Sequence, residues 1–144
     1  MISSVNVGIV AIENSLHTQS TLTSWIITSY ILSTAISLIP SAKISDIFGK
    51  RKVFLSGVLI FSLSSFLCAL SKNFTIMIIS RIIQGIAGGI FLSTGTAILA
   101  SIFPKESRGK ILGINVSFVY LGLSLGPFLG GFIINKYGWP LIFL

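Results

Sequence analysis

The sequence predicts an all-α membrane protein made of antiparallel transmembrane helices. Apolar residues make up 53 % of the chain and charged residues only 9 %, where soluble domains carry roughly a quarter charged residues. The mean hydropathy is +0.98. The apolar residues also gather into runs of membrane-spanning length, separated by short polar breaks.

Crossing a hydrocarbon core of ~30 Å takes about 20 helical residues. The first run, 2–12, has eleven residues, about 16 Å at the helical rise, so it is predicted to be a truncated span. Residues 22–42 form a full second span, dotted with Ser and Thr and carrying Pro40 near its end. Residues 53–70 form the third, 74–103 the fourth (long enough to tilt) and 111–134 the fifth. After Asn135-Lys136-Tyr137-Gly138 a sixth begins at 139–144. Both ends run through apolar segments, so 1–144 is expected to be one incomplete domain of a larger membrane protein.

Charge placement predicts orientation. Of ten Lys and Arg residues, Lys43, Lys50, Arg51 and Lys52 lie between the second and third spans, and Lys105, Arg108 and Lys110 between the fourth and fifth. Short loops rich in cations stay in the cytoplasm, so loops 43–52 and 104–110 are expected there. Lys72 and Lys136 fall on the opposite side, where Trp25, Tyr137 and Trp139 would anchor the outer interface. The net charge of +7 is thereby explained without nucleic acid. Residues 1–12 have neither a basic start nor a small-residue cleavage site, so no secretory signal is expected. One cysteine, Cys68, and one histidine, His17, build neither a disulfide nor a metal site. With no HExxH and no nucleophile motif, the sequence predicts no enzyme, no cofactor and no metal.

Short connections predict that consecutive spans are antiparallel neighbours. The chain also repeats itself at an offset of 89 residues: AKISDIFGKRKVFL (42–55) aligns with GFIINKYGWPLIFL (131–144), matching at Ile44, Gly49, Phe54 and Leu55. An odd number of spans separates the copies, as an inverted-topology repeat requires. The cytoplasmic copy carries Lys50-Arg51-Lys52 where the outer one has Trp139-Pro140-Leu141. The same offset pairs the first span with the back half of the fourth.

Several residues exceed what topology needs. Arg81 lies ~12 Å into the fourth span, where an arginine costs ~2.5–3.5 kcal/mol at the helix centre and somewhat less off it. It either faces the bundle interior and finds a partner or snorkels to the outer interface. Asp46 is expected just beyond the end of a helix, and Gly49 at a tight turn into the next; a solvated topology loop is the plainer account. Gly122, Gly126 and Gly130 recur every fourth residue, and Gly85-x-x-x-Gly89 offers a second such face. Small-xxx-small spacing lets helix backbones approach closely, while Pro127 removes a hydrogen bond and bends its helix. Asn6, Tyr30, Gln84, Ser93, Thr94 and Thr96 either line a cavity or satisfy local helix carbonyls.

Three motifs in order resemble the N-terminal half of the major facilitator superfamily, in particular its drug:proton antiporter branch with 12 or 14 spans. Residues 42–52, AKISDIFGKRK, are similar to the loop motif G-x-L-x-D-R-x-G-R-[RK]-[RK], with Ala42 in place of the first glycine and Ile47 in place of a basic residue. Arg81-Ile82-Ile83-Gln84-Gly85 is similar to R-x-x-Q-G of the fourth span. Residues 122–131, GLSLGPFLGG, are similar to G-x-x-x-G-P-x-x-G-G of the fifth, which includes Gly131. Val5-Asn6-Val7, Trp25 and Tyr30 also fall where this branch carries V-N-V, W and Y. The resemblance implies an incomplete six-helix half with an inverted 3+3 repeat, and proton-coupled efflux of drug-like or amphipathic molecules. It implies that Asp46 ties the two halves of the transporter together, Arg81 serves the cavity, and the Gly126-Pro127 pair forms a hinge or leak seal. The partners implied are the bilayer, a small-molecule substrate, protons and a C-terminal half. An acid serving Arg81 would be encoded upstream of Met1. The competing readings are a non-transporting scaffold, a decayed gene product, or a short dimeric exporter using Glu13.

Overall fold

The computed structural model describes residues 20–71 and 73–137, with side chains from 24 to 136. The truncated first span, the start of the sixth, Asn6, Glu13 and His17 lie outside these residues. Four helices follow in order: α1 (Ser20–Phe48), α2 (Lys50–Ala69), α3 (Phe74–Ile102) and α4 (Lys105–Tyr137). They correspond to the second to fifth spans, and all four are long and apolar enough to cross a membrane. The described residues include no strand. Helices suit this composition because each satisfies its own backbone groups where no water is available.

The helices outrun the apolar windows that announce them. Residues 43–48 and 50–52, expected as loop, belong to α1 and α2, and residues 105–110 to α4. Charge ends an apolar window but does not end a helix, since Lys, Arg and Glu are good helix formers. What ends α1 is Gly49, with φ 92° and ψ 126°. Its N–H still donates to the Ser45 carbonyl at 3.1 Å, while its own carbonyl accepts from Val53 N–H at 3.2 Å. One residue therefore closes one helical ladder and opens the next. Between α3 and α4 the break falls at Phe103 and Pro104, with Phe103 in an extended conformation, as a residue preceding proline prefers.

Helix α3 is the hub. It packs along much of its length against both α1 and α2, whereas the consecutive pair α1 and α2 touches much less, and α4 meets α3 only lightly. Chain order alone therefore does not set how closely two helices pack. The reason lies in the side chains. Gly57 of α2 admits Ile90 and Phe91 of α3, to within 2.9 Å of where a Cβ would stand. Phe61 and Phe91 then meet edge to face at 5.2 Å, a favoured aromatic geometry.

The bundle buries polar residues and exposes apolar ones. Along α1 the inward face is Ile26, Tyr30, Ser37, Ser41 and Ser45, while Ile36, Ile39 and Ile47 are exposed. That pattern fits a surface facing lipid. Most of these inward hydroxyls bond carbonyls of their own helix: Ser33 to Ser29 at 2.6 Å, Ser37 to Thr34 at 3.0 Å and Ser41 to Ser37 at 2.6 Å. They are therefore buried without an unpaired hydroxyl proton. At the Phe74 end a small apolar cluster closes the junction, with Ile26, Cys68 and Met77 fully buried and Ile134 of α4 against them.

Candidate functional site

The polar centre of the bundle is Arg81. Only 2 % of it is exposed, and three helices hold it. Its Nη1 donates to Gln84 Oε1 at 2.9 Å, and Gln84 Nε2 donates to Ser65 Oγ of α2 at 2.6 Å. On the α1 side the guanidinium carbon lies 5.6 Å from the Tyr30 ring centroid, within cation–π range. The bond to Gln84, one turn further along α3, draws the guanidinium away from the Phe74 end. Snorkelling would send it the other way, along the direction helical side chains lean by default. The arrangement keeps a permanent positive charge fixed inside the bundle.

Beyond Arg81 runs a seam of small residues between α3 and α1. A Cβ at Gly85 would stand 2.5 Å from the Tyr30 carbonyl oxygen and 2.8 Å from Ser33 Cβ. One at Gly89 would stand 2.7 Å from the Thr34 carbonyl oxygen and collide with Ser37 Oγ. The seam ends in a bond between helices, Ser41 Oγ to Ser93 Oγ at 2.8 Å. Tyr30 pairs with Gly85, Ser37 with Gly89 and Ser41 with Ser93, so α1 and α3 run in the same direction. Thr94 and Thr96 instead bond the Ile90 and Leu92 carbonyls of their own helix at 2.6 and 3.1 Å. Of the polar candidates in the described residues, Tyr30, Gln84 and Ser93 therefore reach across helices. Ser65 belongs with them and carried no motif; its signal was a serine in the third span at the depth of Arg81.

The remaining motif residues lie elsewhere. Asp46 is exposed and sits in the last turn of α1, not beyond it. Lys50, Arg51 and Lys52 form the first turn of α2, with Lys50 half-buried and the other two exposed. Both placements oppose the helix dipole, which favours cations at a C-terminus and acids at an N-terminus by ~0.3–1 kcal/mol each. These charges do not serve their own helices. On α4, Gly122 is exposed with nothing within 4 Å of a Cβ built there. Gly126, Pro127 and Gly131 are half-buried and Gly130 is buried. The 89-residue offset carries Ser33, Ser37 and Ser41, the α1 residues of the small-residue seam, onto Gly122, Gly126 and Gly130.

A separate cleft of about 480 Å³ opens between the later half of α3 and the first half of α4. Its walls are apolar (Phe54, Phe91, Leu99 and Val119 among them) apart from Thr96 and Asn115, and it shares no residue with the Arg81 cluster.

Apolar helices around a buried, fixed arginine define a multi-pass membrane protein with a polar interior. The chain belongs to the Major Facilitator Superfamily, whose family model matches residues 1–144. It is 36 % identical over 120 residues to the riboflavin transporter RibZ of Clostridioides difficile, covering 83 % of this chain and 26 % of the relative. It is 39 % identical over 122 residues to a multidrug resistance protein B homolog of Mycobacterium tuberculosis, covering 84 % and 22 %. It is 33 % identical over 141 residues to the methylenomycin A resistance protein of Bacillus subtilis, covering 97 % and 30 %. The chain thus spans less than a third of the length of these relatives.

Proposed function

We propose that this chain contributes to a proton-coupled exporter of drug-like or amphipathic small molecules, with residues 43–52 and 104–110 facing the cytoplasm. The observation that carries the reading is Arg81, held inside the bundle by α1, α2 and α3. An arginine at membrane depth is costly enough to be kept for a task, and such groups mark substrate or proton paths. In this reading Arg81 holds an acid or an anionic substrate group in the cavity, and Asp46 pairs with groups of the transporter's other half. The resistance proteins among the relatives support drug-like cargo. RibZ, a riboflavin transporter by name, makes a flavin the second candidate, itself an amphipathic heteroaromatic molecule.

The test uses the complete protein in proteoliposomes under an imposed pH gradient, with a cationic dye and riboflavin as cargo. Gradient-driven dye movement that is lost in Arg81→Ala, with insertion and abundance intact, is the expected result. Riboflavin movement without dye movement would replace the drug reading with the flavin one. Transport unchanged by Arg81→Ala, or independent of the gradient, would sink the proposal.

A further inference from the structure

The cleft between α3 and α4 has a polarity along its length. Its walls are apolar, and on α3 they run from Leu99 to Phe91, about 5 to 16 Å from the helix end at Ile102. That depth is one leaflet of a ~30 Å hydrocarbon core. At the same end α2 and α4 begin, and their N-termini add partial positive charge. Seven cations gather there against two exposed acids, Asp46 and Glu106.

Five of the seven cations are exposed, while Lys50 and Arg108 are half-buried. Both share a helix face with walls of the cleft. Lys50 lies one turn before Phe54 on α2, and Arg108 lies two turns before Asn115 and three before Val119 on α4. Helical side chains lean toward the N-terminus, which here carries both cations toward the membrane surface. Arg108 is also tied to the corner between α3 and α4, where its Nε donates to the Phe103 carbonyl at 3.1 Å.

We propose that the cleft holds an acyl chain of an anionic phospholipid, whose phosphate meets Lys50 and Arg108 at the mouth. Basic pockets between membrane helices suit anionic headgroups, and the apolar walls suit the chain. The same cations would repel a cationic cargo molecule, so charge favours the lipid over the dye. The assignment to the cytoplasmic leaflet rests on the orientation proposed above; the binding itself does not.

The test places the complete protein in phosphatidylcholine vesicles. These carry a trace of phosphatidylglycerol or of phosphatidylcholine with a photoreactive diazirine in mid-chain, and labelled peptides are located by mass spectrometry. Phosphatidylglycerol should label residues 91–99 and 115–119 several-fold more than the phosphatidylcholine analogue does. Lys50→Gln and Arg108→Gln should each cut that preference roughly 5-fold. Lys52→Gln and Lys110→Gln remove the same charge from faces turned away from the cleft, and should leave it near wild type. Gly95 also lines the cleft, and a Cβ there would stand 3.4 Å from the Phe54 ring. Gly95→Leu keeps both cations but fills the space, so labelling by either lipid should fall.

Equal labelling by the two lipids would overturn the proposal, as would equal losses in the two pairs of charge variants. So would full labelling in Gly95→Leu. Absence of label from the cleft peptides would mean that the rest of the protein covers them, and displacement of the lipid by excess dye would give the cleft to cargo; either result defeats the lipid. None of these measurements needs transport. A wild-type protein that moves neither dye nor riboflavin would therefore defeat the functional reading, and the labelling would still decide the occupant of the cleft.

Discussion

The Arg81 guanidinium lies 5.6 Å from the centroid of the Tyr30 ring, joining α3 to α1 through a charge and a π face. The ring supplies this contact, and the hydroxyl does not. Tyr30→Phe should therefore keep thermal stability in detergent near wild type, while Tyr30→Leu loses about 0.5–2 kcal/mol. A Cβ at Gly88 would stand 3.1 Å from the Tyr30 hydroxyl, so Gly88→Ala displaces the ring. Combining it with Tyr30→Phe should recover part of the loss, and additive losses would show that the hydroxyl is not what Gly88 accommodates.

Close approach at the seam predicts a graded glycine series. At Gly85 and Gly89 an added Cβ meets the backbone of α1, which has no rotamer to change, so the two helices must separate. Each Ala substitution should cost about 1–3 kcal/mol of stability. Gly113, exposed on α4 with nothing within 4 Å of its Cβ position, is the control. There alanine should be neutral or stabilising by up to ~1 kcal/mol, because it is the better helix former. Denaturant midpoints of the three variants compare these outcomes.

Apolar length revealed the four helices, and the intramembrane cost of Arg81 pointed to partners inside the bundle. The spacing of Gly85 and Gly89 marked the face on which α1 lies. Packing partners were less legible. Short connections predict that consecutive helices are neighbours, as α2 and α3 are, yet α3 packs as extensively along α1 while α1 touches α2 much less, because close approach follows small side chains and not chain order. Serine roles were also hidden. Ser41, Ser65 and Ser93 have the same local alternative as Ser62 or Ser101, a carbonyl of their own helix, and only the tertiary structure selects which hydroxyl crosses. The 89-residue offset sets Ser33, Ser37 and Ser41 opposite Gly122, Gly126 and Gly130, but Gly122 has nothing within 4 Å of its Cβ position, so that correspondence did not by itself mark the α1 seam.

The corner at Gly49 predicts a purely conformational cost. Nothing lies within 4 Å of a Cβ built there, yet φ is +92°, a region that side chains of L-residues rarely occupy. Gly49→Ala should therefore destabilise by about 1–3 kcal/mol. Asparagine often relieves left-handed positions, but ψ is 126°, well away from the left-handed helical value near +47°. Gly49→Asn should do no better than Gly49→Ala in the same melting assay, and a near-wild-type midpoint for either variant would show that the corner relaxes.

The bond between Ser41 and Ser93 predicts a weak coupling, despite a length of 2.8 Å. Ser41 Oγ also bonds the Ser37 carbonyl at 2.6 Å, and Ser93 Oγ bonds the Ile90 carbonyl at 3.1 Å. Each hydroxyl therefore keeps an acceptor within its own helix when the other is removed. Side-chain hydrogen bonds between membrane helices average ~0.6 kcal/mol in double-mutant cycles, because separated helices also find local partners. A cycle of Ser41→Ala, Ser93→Ala and the double variant should return a coupling below ~1 kcal/mol. Each single alanine should be nearly neutral, since a small side chain still permits the approach of α1 to α3. Ser41→Leu should not be tolerated in the same way. Its bulk enters a face where Ser41 is 2 % exposed, forcing the helices apart at a cost of about 1–3 kcal/mol. The seam is then held by the smallness of its residues more than by their polarity, and a coupling above ~2 kcal/mol, well beyond that average, would reverse that order.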